Sequence, residues 1–354
     1  MFAFDLVNLG WDEAWSATLT TATSLHGPAD PARVARVDLG VCTVLGEAGP
    51  ARALVPPGIT VTVGDWVLVR SGAVAGSLPR RTAIVRRSAG AGERAQTLAA
   101  NVDTVLVLVA ADGRVTPRSV ERYITLVWES GAAPVVVLTK ADLVSTEDLV
   151  DAVERLEPAC VGVDLHVISA QTGHGLDDLA PYFGRGRTVA LLGSSGAGKS
   201  TLANFLAGEG VLATGAVREG DRRGRHTTTH RELVVLPGGG VLIDSPGLRE
   251  VGLWQGDGDT DGIARTFPEI TALVDRCRFA DCTHRQEPGC AVREALAGGV
   301  ISEERLASWR KLRRELDRLA ARDDPALRER LRNEQRKQYR EYAQARKQWR
   351  GRNR

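Results

Sequence analysis

The feature that most constrains the fold of this 354-residue chain is an apolar run that leads directly into a glycine-rich loop. Residues 188–192 read TVALL and predict a buried strand, and residues 193–200 read GSSGAGKS, which matches G-x-x-x-x-G-K-[ST] without a deviation. Leu202 to Leu206 then predict a helix. Backbone N–H groups and the helix dipole converge on phosphate in such a loop, so we expect a nucleotide there.

Two side chains of this loop have predicted roles. Lys199 is expected to reach the β- and γ-phosphates of the nucleotide and to take part in catalysis, and the Ser200 hydroxyl is expected to bind Mg²⁺. The loop alone does not distinguish ATP from GTP. Its companion motifs decide that question.

A second strand, Val241 to Asp244, ends in the pattern Asp-x-x-Gly. This places Asp244 beside the Mg²⁺ shell and the Gly247 amide near the γ-phosphate. Between the two strands lies the polar segment GRHTTTH, residues 224–230, which suits a mobile element that closes on Mg²⁺ through a threonine. We predict that this threonine is Thr228.

The segment Thr139-Lys140-Ala141-Asp142 follows its own strand and resembles the guanine-recognition element Asn-Lys-x-Asp. An aspartate here can accept two hydrogen bonds from guanine, from N1–H and the exocyclic amine, a pair that adenine cannot offer. Ser169-Ala170, after the next strand, resembles the Ser-Ala element that caps the base. Together they favour guanine, although Thr139 departs from the usual asparagine and puts that residue's contact in question.

The order of these motifs differs from that of an ordinary small GTPase, in which the phosphate loop comes first. Here the base elements at 139 and 169 precede the loop at 193 and Asp244. Alternating strands and helices between residues 98 and 255 predict a doubly wound, mainly parallel α/β sheet. The central domain is therefore expected to be a circularly permuted P-loop GTPase, whose Asp-x-x-Gly segment leads directly into the C-terminal domain.

Three further regions flank this domain. Residues 1–32 read as a short, irregular lead-in, and residues 33–90 contain short β-rich runs, about five strands including residues 82–86, that fit an oligonucleotide-binding (OB) type β-barrel. A generic β-barrel without a ligand is the alternative. Residues 256–325 predict a zinc-binding domain with helices, and residues 326–354 a basic helical tail.

Four potential metal ligands lie within 14 residues: Cys277, Cys282, His284 and Cys290. They can supply a closed tetrahedral Cys₃His set for one structural Zn²⁺, with no position open for catalysis. In a reducing compartment such a cluster indicates metal rather than disulfides. The alternative is that the cysteines are buried as small hydrophobes, which we expect for Cys42 and Cys160.

Composition narrows the class of protein. No apolar run approaches the roughly 20 residues that span a bilayer, and the N-terminus lacks an export signal, so we expect a cytoplasmic protein without membrane contact. Residues 325–354 contain eleven Lys or Arg and three Glu, a local charge of +8 in a chain of net charge +2. A nucleic-acid partner or a solvated arginine-rich helix would each explain this tail.

The chain resembles the ribosome small subunit-dependent GTPase A family over about residues 33–330. Three features together carry the resemblance: the barrel, the permuted GTPase with Gly-x-His-Thr-Thr-Thr and Asp-Ser-Pro-Gly, and the Cys-x4-Cys-x-His-x5-Cys finger. The resemblance implies GTP hydrolysis stimulated by the 30S subunit late in its maturation, 16S ribosomal RNA contacts through the barrel and zinc domain, and zinc at the four ligands. We expect a monomer that uses Mg²⁺ with GTP. Implied GTP contacts are Thr139, Lys140, Ala141, Asp142, Ser169, Ala170, Gly193, Ser194, Ser195, Gly196, Ala197, Gly198, Lys199, Ser200, Thr201 and Gly247.

The water-orienting residue is not where many GTPases have it, because Leu248 follows Asp-x-x-Gly and cannot hydrogen-bond a water. His226 resembles the histidine proposed for the family; its alternative role is to position its loop.

Two other functions compete: an RNA-binding scaffold with GTP as a structural ligand, and a P-loop ATPase or small-molecule kinase. Intact magnesium ligands argue against the scaffold, Asp142 argues against ATP, and no acceptor-substrate domain supports a kinase.

Overall fold

The computed structural model describes residues 5–86, 96–112, 116–208, 231–244, 261–333 and 336. Within these ranges no helix has the length and apolarity to cross a membrane.

The predicted irregular lead-in contains a helix, α1, Glu13–His26. Asp12 caps it by accepting a hydrogen bond from the Trp15 backbone N–H at 2.9 Å. Its Ser and Thr hydroxyls donate to carbonyls four residues earlier, as Thr18 does to Ala14 at 2.8 Å. Such residues favour helices weakly and give no apolar period, which is why the sequence did not reveal the helix.

Five strands close into an N-terminal barrel, in the cyclic order β1-β2-β3-β5-β4-β1. The predicted OB-type barrel is confirmed. A small apolar core fills it, including Val34, Cys42 and Val67. The strands are β1 (Asp30–Asp38), β2 (Val41–Gly46), β3 (Gly49–Leu54), β4 (Trp66–Arg70) and β5 (Ala73–Ser77).

The assignment of residues 82–86 to the barrel was wrong. Strand β6 (Ala83–Arg86) instead pairs with β7 (Gln96–Ala100) in a separate antiparallel pair. The barrel is completed by β3 and β5, which are rich in Gly and Ala and have little intrinsic β-propensity. Their neighbours in the closed ring supply the pairing that their sequences do not predict.

The central domain has the predicted doubly wound sheet, with strand order β10-β9-β8-β11-β13-β12. Neighbouring strands are parallel except β12, which is antiparallel to β13. Strands β8 and β11 are almost entirely buried, as strands covered on both faces require. The strands are β8 (Thr104–Ala110), β9 (Ala133–Thr139), β10 (Leu165–Val167), β11 (Thr188–Gly193), β12 (Glu232–Val235) and β13 (Val241–Asp244).

Helices α2 (Pro117–Glu129), α3 (Thr146–Leu156) and α4 (Lys199–Ala207) connect these strands. The segment Asp177–Phe183 is a 3-10 helix that contains Pro181, which lacks an N–H donor. The base-recognition strands precede the phosphate-loop strand along the chain, so the circular permutation is confirmed.

The C-terminal region contains helices, as predicted, and the longest of the described ones is α8. Its helices are α5 (Gly262–Thr266), α6 (Pro268–Val274), α7 (Ala291–Ala297) and α8 (Glu303–Asp323). Residues 325–333 of the basic tail are helical as well. The rest of the tail, apart from residue 336, lies outside the described residues.

A buried charged contact holds α8 against α2. Arg305 Nη1 lies 2.8 Å from Glu121 Oε1, and the Ser308 hydroxyl donates to the same carboxylate. Arg305 Nε also donates to Glu269 Oε1 at 2.8 Å. Because an unpaired buried charge is costly, these partners must stay together. The C-terminal domain is thereby fixed to α2, a helix that packs against the central sheet.

Candidate nucleotide and metal sites

The phosphate loop leaves β11 through backbone that only glycine accommodates. A Cβ on Gly193 would lie 2.4 Å from the carbonyl oxygen of Leu108, on the neighbouring strand β8. Gly196 and Gly198 have φ angles of 80° and 85°, in the left-handed region. The loop therefore folds tightly over the carboxyl edge of the sheet and opens α4 at Lys199.

The lysine of the loop folds back over it. Lys199 Nζ lies 2.7 Å from the Gly193 carbonyl oxygen and 2.6 Å from that of Ser194. Ser200 and Thr201 are exposed in the first turn of α4. The Lys199 ammonium group and the backbone N–H groups of the first turn of α4 thus lie close together. This arrangement suits an anion such as a phosphate chain.

Asp244 ends β13, and β13 pairs in parallel with β11, where Ala190 lies opposite Ile243. Asp244 and Ser200 therefore both lie at the carboxyl edge of the sheet. Carboxylate and hydroxyl oxygens are ligands that Mg²⁺ accepts. The other predicted residues of this part of the site, His226, Thr228 and Gly247, lie outside the described residues.

The two base-recognition elements contact each other directly. The Ser169 hydroxyl donates to Asp142 Oδ1 at 2.5 Å and accepts a hydrogen bond from the Thr172 backbone N–H at 3.1 Å. Lys140, with φ of 62°, turns the chain from β9 into the short 3-10 helix Ala141–Leu143. Asp142 is exposed yet oriented by a buried serine, so its carboxylate is positioned before any base arrives.

Thr139 is buried at the end of β9 and does not reach outward. Its hydroxyl lies 2.9 Å from the Ala197 carbonyl oxygen of the phosphate loop and 3.2 Å from that of Val109. A hydroxyl has one proton to donate, and the shorter distance favours Ala197. This link between base strand and phosphate loop was missed by sequence reasoning; the threonine in place of asparagine was its only signal.

The four predicted metal ligands converge, with ligand atoms all within 4.8 Å of one another. His284 Nδ1 lies 3.5 Å from Cys277 Sγ and 3.6 Å from Cys290 Sγ, and the two sulfurs are 3.9 Å apart. In a tetrahedron with Zn–S of about 2.3 Å and Zn–N of about 2.0 Å, ligand atoms are about 3.5 to 3.8 Å apart. The cluster can hold a metal ion, and the distances among Cys277, His284 and Cys290 are close to those of a tetrahedral zinc site.

The surroundings of His284 fix its ring and favour its neutral form. The ring is buried in edge-on contact with Trp309, at 5.6 Å between centroids, and Arg310 donates to the His284 carbonyl oxygen. Burial lowers the pKa of His284, and Arg310 lowers it further against the opposing effect of Glu287. A neutral imidazole is the form that binds a metal.

Comparisons with known proteins agree with this arrangement. The sequence model of the family described as RsgA GTPase matches residues 77–254. A Streptomyces coelicolor protein named small ribosomal subunit biogenesis GTPase RsgA is 46% identical over 342 residues, which cover 93% of this chain and 91% of that protein. A Streptomyces avermitilis protein of the same name is 48% identical over 343 residues, covering 93% of this chain and 90% of that protein.

Solved structures share the fold. The crystal structure of YjeQ from Thermotoga maritima is 26% identical, with a TM-score of 0.61 over 82% of this chain and 99% of that chain. YloQ, described as a circularly permuted GTPase, is 22% identical, with a TM-score of 0.60 over 84% of this chain and 97% of that chain, a likeness that concerns the fold alone. The match to the family model, the similarity to these relatives and the contact between the base and phosphate elements agree with one another. The chain therefore belongs to the RsgA GTPase family and is a GTP hydrolase.

Proposed function

We propose that this protein hydrolyses GTP during late maturation of the small ribosomal subunit, and that binding to the 30S subunit stimulates the reaction. The observation that carries this proposal is the buried contact of Glu121 with Arg305, which fixes the C-terminal domain to a helix of the nucleotide-binding sheet. A partner that binds the C-terminal domain can therefore act on the nucleotide site. The names of the Streptomyces relatives supply the ribosomal context.

In this proposal Asp142 binds guanine, Ser169 and Ala170 cap it, and the phosphate loop holds the phosphates. The full set of GTP contacts is the one implied by the sequence, except that Thr139 does not contact the base. It supports the phosphate loop through its hydrogen bond to Ala197. Ser200, Thr228 and Asp244 would hold Mg²⁺, which would supply positive charge to neutralise the phosphates. Lys199 stabilises the same charge, and His226 orients the attacking water.

The Cys₃His cluster binds one structural Zn²⁺ in this proposal. All four ligands come from the chain, so no coordination position is left for substrate. The metal would hold the loop between α6 and α7 in shape, beside the apolar core that Phe267, Ile270 and Val292 supply. Nearby, the Arg278 guanidinium lies 5.5 Å from the ring centroid of Phe279, an exposed aromatic side chain suited to stacking on RNA bases.

We further propose that the protein acts as a cytoplasmic monomer that contacts 16S ribosomal RNA through the barrel, the zinc-binding domain and the basic tail. Arginine and lysine side chains of the tail would neutralise phosphates and release counterions. Truncation after Asp324 should weaken 30S binding and flatten its dependence on salt concentration. An unchanged salt dependence would remove the tail from the interface.

The decisive experiment measures turnover of GTP and of ATP, each with and without purified 30S subunits. We expect GTP to be preferred and its hydrolysis to rise in the presence of subunits, because subunit contacts complete the catalytic site. Purified 50S subunits serve as the control for nonspecific RNA. Equal, unstimulated rates with both nucleotides would refute the proposal.

A further inference from the structure

A cavity of about 370 Å³ lies at the edge of the central sheet opposite the phosphate loop. Asp103 and Thr188 line it where β8 and β11 begin, and Trp11 and Arg81 line it from the lead-in and from the chain after the barrel. The phosphate loop starts at the far end of the six-residue strand β11, roughly 17 Å away at about 3.3 Å per residue. The cavity is therefore separate from the nucleotide site.

One wall of this cavity contains a buried cation. Arg33 is 1% exposed, and its guanidinium donates to the carbonyl oxygens of Asn101 at 2.8 Å, of Gly64 at 3.3 Å and of Leu9. Among the described residues no carboxylate lies within ion-pair distance of it. Burial lowers the pKa of Arg33 to about 10, although Asp103 and Asp65 raise it. Its hydrogen-bond partners are neutral carbonyl oxygens, so none of these contacts neutralises its charge.

The remaining charged groups of the lining leave a positive excess. Arg81 is paired with Asp12, and the Asp103 carboxylate accepts the Thr188 backbone N–H at 2.7 Å. Arg187 is exposed at the cavity and forms no ion pair with any residue that the structure describes. Arg185 is paired with Asp5, so Arg33 and Arg187 exceed the one lining carboxylate that is not in an ion pair, Asp103. This positive excess favours an anion, and guanidinium groups suit phosphate in particular.

Aromatic side chains form another part of the lining. Trp11 meets Trp66 edge to face with ring centroids 4.7 Å apart, and Trp15 lies beside them. The indole N–H of Trp66 is buried without an acceptor among the described residues, which a ligand oxygen or an ordered water can satisfy. The volume exceeds what a lone phosphate ion needs and falls in the range of small-molecule sites.

We propose that this cavity binds a phosphate ester that carries a planar ring, of the nucleoside monophosphate class. Its phosphate lies by Arg187 and Arg33, and its ring lies against Trp11. Two sources offer this chemistry: a free mononucleotide, or the 5′-phosphorylated end of an RNA chain. A ligand here would join the lead-in, the barrel and the sheet, so it should also raise the melting temperature.

The test uses the full-length protein saturated with Mg²⁺ and GDP, so that the phosphate-loop site is filled. AMP, inorganic phosphate and adenosine are titrated by calorimetry. We expect one AMP site, with phosphate and adenosine each at least about tenfold weaker, because each lacks one half of the contacts. Arg187→Gln should weaken AMP binding by about tenfold or more, as the loss of a charge-assisted hydrogen bond predicts. Arg155→Gln, an exposed arginine on α3, is the matched control and should bind AMP like the wild type.

A 5′-phosphorylated oligoribonucleotide separates the two sources. If it displaces AMP and its unphosphorylated counterpart does not, the site takes an RNA end; if neither displaces AMP, it takes a free mononucleotide. Absence of AMP binding to the GDP-saturated protein would overturn the proposal. Equal AMP affinity in Arg187→Gln and Arg155→Gln would overturn it as well.

Discussion

The hydroxyl of Thr139 and the carbonyl oxygen of Ala197 lie 2.9 Å apart, and this hydrogen bond joins the strand of the guanine element to the loop of the phosphate element. The two residues are 58 positions apart in the sequence. Because Thr139 is buried, its hydroxyl serves the shape of the loop rather than contact with the base.

Thr139→Val should therefore weaken GTP and GDP binding alike, by about tenfold. The variant keeps the shape of the side chain but leaves the Ala197 carbonyl without its donor, a loss of about 1 to 3 kcal/mol. Thr139→Ser keeps the hydroxyl and is the matched control. Dissociation constants for both nucleotides provide the measurement, and discrimination against ATP should persist because Asp142 is untouched. Wild-type affinity in Thr139→Val would contradict the assigned role.

Gly64→Ala should destabilise the junction of barrel and sheet much more than Gly58→Ala. Both glycines have φ near 90°, but a Cβ at Gly64 would lie 2.1 Å from the Ala100 carbonyl oxygen, whereas one at Gly58 has nothing within 4 Å. Each variant carries the backbone cost of positive φ, about 1 kcal/mol, and only Gly64→Ala adds the clash. The urea midpoint of unfolding measures the difference. Similar midpoints would show that the junction can shift without cost.

Cys290→Ser should abolish stoichiometric zinc binding and lower thermal stability. Cys290 is one of four converging metal ligands. Serine is a poor zinc ligand, so the variant retains only three effective ligands. Metal content by elemental analysis gives the readout. Cys42→Ala, a buried cysteine in the barrel, is the control and should retain one zinc per chain. A full zinc complement in Cys290→Ser would disprove the site.

Stability should fall as pH rises from about 4.5 to 7 because of Glu129. Burial raises the pKa of this carboxyl to about 7, with Asp261 adding to the rise against the opposing hydrogen bond from the Gly262 N–H. In this window the folded protein retains a proton that the unfolded chain has lost, so the unfolding free energy decreases by at most about 3 kcal/mol. Glu129→Gln keeps an acceptor for Gly262 and should be more stable than the wild type at pH 8 but not at pH 4.5. Parallel pH profiles would exclude Glu129 as the cause.

His226→Ala should lower 30S-stimulated turnover by a hundredfold or more while GTP affinity changes little. General acid–base groups contribute about 10² to 10⁴ to rate, whereas the phosphate loop and Asp142 supply the binding. Single-turnover kinetics and nucleotide dissociation constants separate the two quantities. An unchanged stimulated rate would leave His226 as a loop-positioning residue.

Much of the nucleotide and metal sites was predictable because their signals are local. The phosphate loop, the Asp142 element and the four metal ligands each occupy a short stretch with residue types that chemistry demands. The spacing of Cys277 to Cys290 sufficed to predict a cluster that the structure brings within 4.8 Å. The motif order alone predicted the permutation.

What escaped prediction depends on contacts across long sequence separations. Glu121 and Arg305 are 184 positions apart, and nothing in either local sequence selects the other. Strand β3 and helix α1 carry few residues with strong intrinsic preference, so tertiary pairing and capping determine them. The hydrogen bond of Thr139 to Ala197 could not be predicted from the sequence either, because the phosphate loop meets this strand only after folding.

Strand β1 of the barrel pairs with β12 of the central sheet where Arg36 lies opposite Glu232, and this pairing has a consequence for solubility. Strand β12 would otherwise be the outermost strand of the central sheet, with backbone donors and acceptors open to solvent. Such edges template pairing with other chains and promote aggregation. The Arg36–Glu232 pair brings β1 of the barrel against this edge and occupies it at that point, so we expect deletion of the barrel to leave more of the edge open to other chains.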